Sequence, residues 1–382
     1  MSRLIFYVIA CALTFFIFIS HKSYNPPFFV QDLDVRPSEV PVFIKNNLPI
    51  IKQAPSVHSA SIARLSSGKL IALWFAGSGE GRPDVEIYGS IYNISSNIWE
   101  EPKSYLDRKR LIKDSHQFIK KLGNPVIYQS ANGDLHLFVV GVSFGGWATS
   151  KIYHYISKDE AKSFAYQGVL RLGPLMNISH LVRSSPVGLE DGGFYLPIYH
   201  ELADKYPLIV RFDQNGKMLY SQKITAHNGQ LQPSIVALDS KRCLAVLRNY
   251  REKEMYMQNC EDGGMKWDKP ITSNVLNESN SIALFKLGQK IFLLHNTREK
   301  SEHESRGTLV LSYLDEGRWE KVTILDVAQG KREGIKSVEV SYPNVFVSGD
   351  MVDIVYTNNR TAISHIRLNQ KWIFEQMKEG KK

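Results

Sequence analysis

Beyond its N-terminal stretch, the chain is built from short apolar runs, each broken by a polar turn and followed by a second apolar run. The first copies are SIARLSSGKLIALWF from Ser61, PVIYQSANGDLHLFVVG from Pro125 and PVGLEDGGFYLPIY from Pro186. The set continues with PSIVALDSKRCLAVLRN from Pro233, SIALFKLGQKIFLLHN from Ser281 and PNVFVSGDMVDIVYTN from Pro343. β-Branched and aromatic residues fill the runs and Gly or Asp sits in the turns, the pattern of a β-hairpin. Helical periodicity is scarce. The hairpins recur at roughly fifty to sixty residues, the spacing of propeller blades. A single hairpin cannot bury its apolar faces, so each must lean on the next until a ring closes. The pattern predicts an all-β fold, a six-bladed β-propeller.

Between the hairpins runs a second, weaker pattern. CEDGGMKW (Cys260 to Trp267) keeps the Asp, Gly and Trp of an S-x-D-x-G-x-x-W turn. SKDEAKSF (Ser157 to Phe164) keeps Ser, Asp, Ser and an aromatic, and SYLDEGRW (Ser312 to Trp319) is a distorted copy. In such turns Asp caps the loop backbone, Gly takes a positive φ and the aromatic plugs the blade. They are structural devices and carry no chemistry.

The N-terminus differs from everything after it. LIFYVIACALTFFIFIS follows Arg3 and is closed by His21 and Lys22. It is long for a signal-peptide core and slightly short of an ideal span. No small-x-small cleavage site follows, which favours an uncleaved transmembrane anchor over a cleaved signal. Either reading sends the remainder across a membrane. The expected division is an anchor over 1–22, a linker over 23–54, the propeller over 55–370 and a basic tail over 371–382. The net charge of +9 favours acidic partners. With no RNA-binding signature and no basic helix, nucleic acid is not among them. Two cysteines, Cys243 and Cys260, lie outside the apolar run, and without a CxxC they make a zinc site improbable. No motif asks for a cofactor. A turn centred on Glu252 and Lys253 sets these cysteines opposite each other, within reach of a cross-strand bond. Cys260 also takes the serine place of a capped turn, so two separate buried thiols are the favoured reading.

The degenerate turns, together with HSASIARLSSGKLIALWFAGSGEGRPDVEIY, resemble the sialidase (neuraminidase) superfamily in its BNR repeat-like branch, over about residues 55–368. The resemblance implies a site on the propeller axis. It implies three arginines gripping a substrate carboxylate, a tyrosine nucleophile with a glutamate behind it, and an acidic proton donor. By position the second arginine is Arg248, ending LAVLRN, and the third is Arg306 in SRGTLVLS. The tyrosine is Tyr342 in EVSYPNVF. Two places depart from the family: His58 stands where the first arginine is expected, and Gln232 where the glutamate is expected. The acid falls in GSGEGRPDVEIY, where Glu80 and Asp84 both qualify, and Arg82 between them is a candidate replacement for the missing guanidinium. Glu201, in YHE after the third hairpin, and Asn124, before Pro125, are further candidates for the pocket wall.

These residue types suit one substrate class. Sialic acid and Kdo carry a carboxylate on the anomeric carbon, which repels a carboxylate nucleophile but not a neutral tyrosine awaiting a base. Guanidinium forks match that carboxylate, and a partly desolvated carboxyl can hold a proton for the leaving oxygen. The plain structural readings stand beside these: a strand-end arginine as a rim charge, Tyr342 as packing, His58 as a satisfied core histidine. The expected function is an exo-acting glycosidase removing a terminal 2-keto-3-deoxy sugar acid from an acidic glycan or glycolipid, with Kdo on lipopolysaccharide favoured. It is expected to be membrane-anchored, on the periplasmic face of a bacterial inner membrane, and a second protein subunit is a candidate requirement. An exo-α-sialidase and a non-catalytic propeller binding a glycan or protein are the alternatives.

Overall fold

The computed structural model describes residues 7, 26–30, 38–173, 176–225, 227–299, 305–329 and 338–379. Apart from Tyr7, the apolar run expected as an anchor lies outside them. Among the described residues no helix is long and apolar enough to cross a membrane.

Six antiparallel sheets of four or five strands follow one another along the chain. Each takes its two innermost strands from one of the six repeated hairpins, so the repeat is the blade. The inner strands are Ser56–Arg64, Lys121–Gln129, the interrupted pair His180–Val182 and Val187–Gly188, Gln230–Ala237, Ala283–Leu287 and Val340–Ser348. We number the blades 1 to 6 in that order. Blade 6 is composite. Its outer strand is Phe43–Asn47, paired antiparallel with Ala362–Asn369, so the first strand of the fold closes the ring. Residues 43–54, expected as part of a linker, therefore belong to the propeller, with Leu48, Ile51 and Ala54 buried. The expected basic tail is mostly a helix, Gln370–Glu379, because Trp372, Ile373, Phe374 and Met377 recur at helical spacing and pack on blades 5 and 6.

The core is six clusters, one between each pair of neighbouring blades. Leu73 and Phe75 of blade 1 meet Leu137 and Tyr153 of blade 2, and Trp74 on the other face meets Val355 of blade 6. Alternate residues of a central strand thus serve two interfaces. The capped turns form as expected. Asp159 accepts from the Ser163 amide at 2.9 Å and from the Ser157 hydroxyl at 2.7 Å, and the Ser163 hydrogen bonds lead in holding its carboxyl at about 2. Trp267 donates to the Gly264 carbonyl at 2.8 Å.

Cys243 and Cys260 do face each other across adjacent strands of blade 4. They form a disulfide with a Cα–Cα distance of 5.0 Å, which corrects the reading as separate thiols. The local register stays free of a bulge, so both side chains share one face. A cross-link closing a loop of this length contributes about 3 kcal/mol.

Among the described residues six histidines are buried: His58, His136, His154, His180, His295 and His365, the last bonded to Asp353 at 2.9 Å. For His58, His136, His154, His180 and His295 burial is the main cause lowering the ring below its ordinary 6.5, to about 4 for His136, His180 and His295. A folded value below the unfolded one stabilises the fold above about pH 6.5, and this contribution is lost as pH falls toward 4. The melting temperature is therefore expected to drop as soon as the pH passes below about 6.5, before most carboxylates titrate. A melting temperature constant from pH 7 to 5 would contradict the burial of neutral imidazoles.

Candidate active site

Four inner strands share one irregularity. Their registers jump between His58 and Ser61, Gly123 and Val126, Leu231 and Ser234, and Ser341 and Asn344, so two residues oppose one. The first residue of each extra pair is left-handed: Ser59 at φ 59°, Asn124 at 37°, Gln232 at 43° and Tyr342 at 57°. Three of the four precede a proline, whose ring already disfavours the right-handed helical region for its predecessor. Such conformations cost about 1–3 kcal/mol each for residues with side chains and persist where the surroundings enforce them. Here they gather at one end of the inner strands. Toward the other end the same strands enclose an axial cavity of about 490 Å³, lined among others by Ile62, Ile127, Ile235 and Val345.

At the strained end Tyr342 is the hub. Arg248, on the second strand of blade 4, places Nη1 3.4 Å from the phenolic oxygen and is held by the Ser279 hydroxyl at 3.0 Å. The Arg306 guanidinium, from blade 5, lies 5.6 Å from the ring centre, and its Nε donates to Asn280 at 2.9 Å. The imidazole of His58 packs on the ring with centroids 4.2 Å apart. Burial by itself would raise the phenol's pKa, but Arg248 and then Arg306 outweigh it, so the value falls below the ordinary 10. For His58, burial first and then Arg360, Arg306, Arg183 and Arg248 hold the ring neutral. Neither of its nitrogens has a hydrogen-bond partner among the described residues.

A third guanidinium does reach this cluster, and it is Arg360. It follows the second strand of blade 6 at a left-handed Asn359–Arg360 turn. Its Nε donates to buried Glu339 at 2.6 Å and its Nη1 to Glu80 at 2.5 Å. Glu339 also accepts from Arg306 at 3.4 Å, so one carboxylate sets the spacing of two arginines. Arg82, the expected substitute, is exposed and is not among the cations acting on Tyr342 or His58. Asp84 is also exposed and caps its own loop, accepting from the Ser78 amide and hydroxyl, each at 2.9 Å. Its slight burial acts upward, but the Ser78 hydrogen bonds prevail and keep its carboxyl below the usual range. Glu80 is the member of the pair that meets the cluster.

The remaining candidates lie on blades 2, 3 and 4. Gln232 donates to the buried Tyr199 hydroxyl at 3.3 Å. Glu201 is half-buried, with its amide donating to the Ser179 carbonyl at 3.0 Å. Burial raises its pKa against the opposing pull of Arg248 and Lys205. Asn124 is left-handed like Tyr342 and shows no contact with the arginine cluster. Arg360, Glu339 and Arg183 were not anticipated from the sequence, whereas Tyr199 opens the YHE stretch proposed for the pocket wall. For Arg360 a signal existed: it lies two residues beyond the end of its hairpin, much as Arg248 lies at the end of LAVLRN. Among the described residues no three His, Cys, Asp or Glu side chains converge to hold a metal.

The arrangement is a strained, partly buried phenol among guanidinium groups, with carboxyls at its edge. Comparisons agree with the fold on which it is built. Among solved structures, a protein of unknown function from Dyadobacter fermentans superposes with a TM-score of 0.68 at 13% identity, covering 85% of this chain and 97% of that one. The Hadza microbial sialidase Hz136 gives 0.65 at 12% identity over 84% of this chain. The Trypanosoma rangeli sialidase gives 0.63 at 11% over 86%. This chain spans 66% and 57% of the lengths of those two sialidases, and at such identities the likeness is one of fold. No curated protein sequence matches the chain. The BNR repeat-like domain matches residues 68–354, most of the propeller. The chain belongs to the BNR repeat-like domain family.

Proposed function

We propose that the protein is an exo-acting glycosidase that removes a terminal 2-keto-3-deoxy sugar acid, Kdo on lipopolysaccharide in first place, with Tyr342 as nucleophile. The observation that carries this reading is the phenol of Tyr342 set among Arg248, Arg306 and the Arg360–Glu339 pair. In this reading the three guanidinium groups receive the sugar carboxylate. The phenolate oxygen forms a bond to the anomeric carbon as the bond to the leaving oxygen breaks, and Glu80 supplies that oxygen's proton. Water then attacks the same carbon and releases Tyr342, with Glu80 taking the proton back. Gln232 cannot act as a base. The arginines do the activating instead, by lowering the phenol's pKa. Asp84 shapes the loop that carries Glu80. The departures at His58 and Gln232, the basic charge and the N-terminal apolar run favour Kdo over sialic acid. The same run, with the disulfide of blade 4, supports a membrane-anchored protein whose propeller lies in an oxidising compartment, the periplasm.

The test is incubation of the protein, in membranes, with Kdo-bearing lipopolysaccharide and with sialyl glycans, followed by mass spectrometry of released sugars. Free Kdo is the expected product. Free sialic acid would instead assign an exo-α-sialidase, and release that requires added extract from the source cells would establish a second subunit. Binding without release of either sugar overturns the enzymatic reading. For the acid, Glu80→Gln is expected to cost about a hundredfold in turnover on a poor leaving group. Asp84→Asn is expected to act mainly on stability. Equal losses of turnover from the two variants would return Asp84 to the site.

A further inference from the structure

Arg183 follows the short strand His180–Val182 of blade 3 and is 1% exposed. Its guanidinium reaches across the axis to blades 1 and 6. Nη1 donates to the Ala60 carbonyl at 3.1 Å, and Nη2 donates to the carbonyls of Tyr342 and of Pro343, the latter at 3.0 Å. Those three carbonyls belong to two of the strained bulges, beside Ser59 and at Tyr342. The guanidinium carbon also lies 5.3 Å from the Tyr342 ring centre. No carboxylate acts on Arg183, and its Nε has no partner among the described residues. Its neighbours Ser184 and Ser185 line the axial cavity, so it approaches Tyr342 from the cavity side. An interior cation without an anion costs several kcal/mol, and an apolar side chain there would serve folding better. The feature needs a reason other than stability.

We propose that Arg183 is a positioning residue that clamps the Tyr342–Pro343 bulge and keeps a positive charge behind the phenol throughout the reaction. The inference rests on the reading of Tyr342 as nucleophile. Arg248 and Arg306 acidify the phenol in the free protein, but a bound sugar carboxylate neutralises them. Arg183 is sealed from substrate, and its charge persists. Burial is the chief influence on Arg183 and pulls it down to about 10, where it is still protonated at neutral pH, while Tyr342 pushes it back up. Coupling between two sites is reciprocal, so Arg183 favours the phenolate. Tyr342 is faced by Arg183 and Tyr199 of blade 3, Arg248 of blade 4, Arg306 of blade 5, His58 and Glu80 of blade 1, and Arg360 of its own blade, with Glu339 paired to Arg306 and Arg360. Among the cations in that group, Arg183 is the one that reaches the phenol from the interior.

The test uses Arg183→Met, which keeps length without charge, and Arg183→Lys, which keeps charge without the fork. Ionisation of Tyr342 is read by ultraviolet titration as the difference between each protein and the same protein carrying Tyr342→Phe, and turnover is measured against pH in parallel. In Arg183→Met the Tyr342 titration is expected to move to higher pH. The rising limb of kcat/KM should move with it, and kcat should fall about tenfold to a hundredfold with KM little changed. Arg183→Lys should keep the titration near its original place while losing turnover, because the clamp on the bulge is gone. A folded Arg183→Met whose Tyr342 titrates as in the parent overturns the inference. If Arg183→Met does not fold, full turnover in Arg183→Lys overturns it instead. A shifted titration in a protein that cleaves neither sugar supports the role of Arg183 while refuting the proposed reaction.

Discussion

Tyr342→Phe is expected to give a folded protein with turnover lowered by at least about a hundredfold, the scale of losing a group that acts in the transition state. The ring remains, and with it the contact to His58 at 4.2 Å and the two guanidinium groups at 5.3 and 5.6 Å. The left-handed backbone at residue 342 does not depend on the hydroxyl. What disappears is the oxygen that Arg248 faces at 3.4 Å, and a hydrogen bond that long contributes little to folding. Stability and activity should therefore separate cleanly. Thermal melting alongside steady-state kinetics checks this. Undiminished turnover in the Phe variant would make Tyr342 a packing residue and end the nucleophile assignment.

Arg360→Ala is the second large effect. It removes one of the guanidinium groups proposed to hold the sugar carboxylate, and it strips Glu339 of its shortest ion-pair contact, at 2.6 Å. Glu339 is fully buried, so an uncompensated carboxylate remains against Arg306 alone, costing about 1–3 kcal/mol. Turnover at low substrate should fall by about a hundredfold, chiefly through a higher KM. Arg360→Lys should recover stability better than affinity, because a point charge can satisfy Glu339 without presenting a fork. Arg82→Ala, in an exposed loop, should stay within about twofold of the parent. The reverse outcome, with Arg82 costly and Arg360 neutral, would restore the assignment suggested by the sequence.

The fold was legible because blade geometry is written locally. Each hairpin carries its turn residues and its alternation, and the six clusters between blades are made from those alternating positions. Arg248, Arg306 and Tyr342 were legible because each sits at a fixed place in the repeat. Arg360, though it too sits at a hairpin end, was missed because the family's first arginine is expected in blade 1, whereas this guanidinium arrives from blade 6. Glu339 and Arg183 escaped for a related reason: their partners are 33 and 159 positions away in sequence, and local pattern carries no trace of such pairs. The strand Phe43–Asn47 was hidden by a short, polar sequence, FIKNN, that reads as linker until its partner is known.

That strand also decides when the molecule can become whole. Ser364 bonds Asn47 across 317 positions of chain. On a chain made from its N-terminus, five blades can stack while the sixth still lacks its three inner strands, Val340–Ser348, Met351–Asn358 and Ala362–Asn369. Until Ala362–Asn369 emerges, Phe43–Asn47 is an unpaired edge with no neighbour. Contacts so remote in sequence close slowly, and an open ring with exposed edges is the species most prone to aggregate. A nonsense mutation near the C-terminus would therefore do far more than trim a blade. It would leave the nascent protein unable to latch, and quality control would meet an open arc in place of a closed ring.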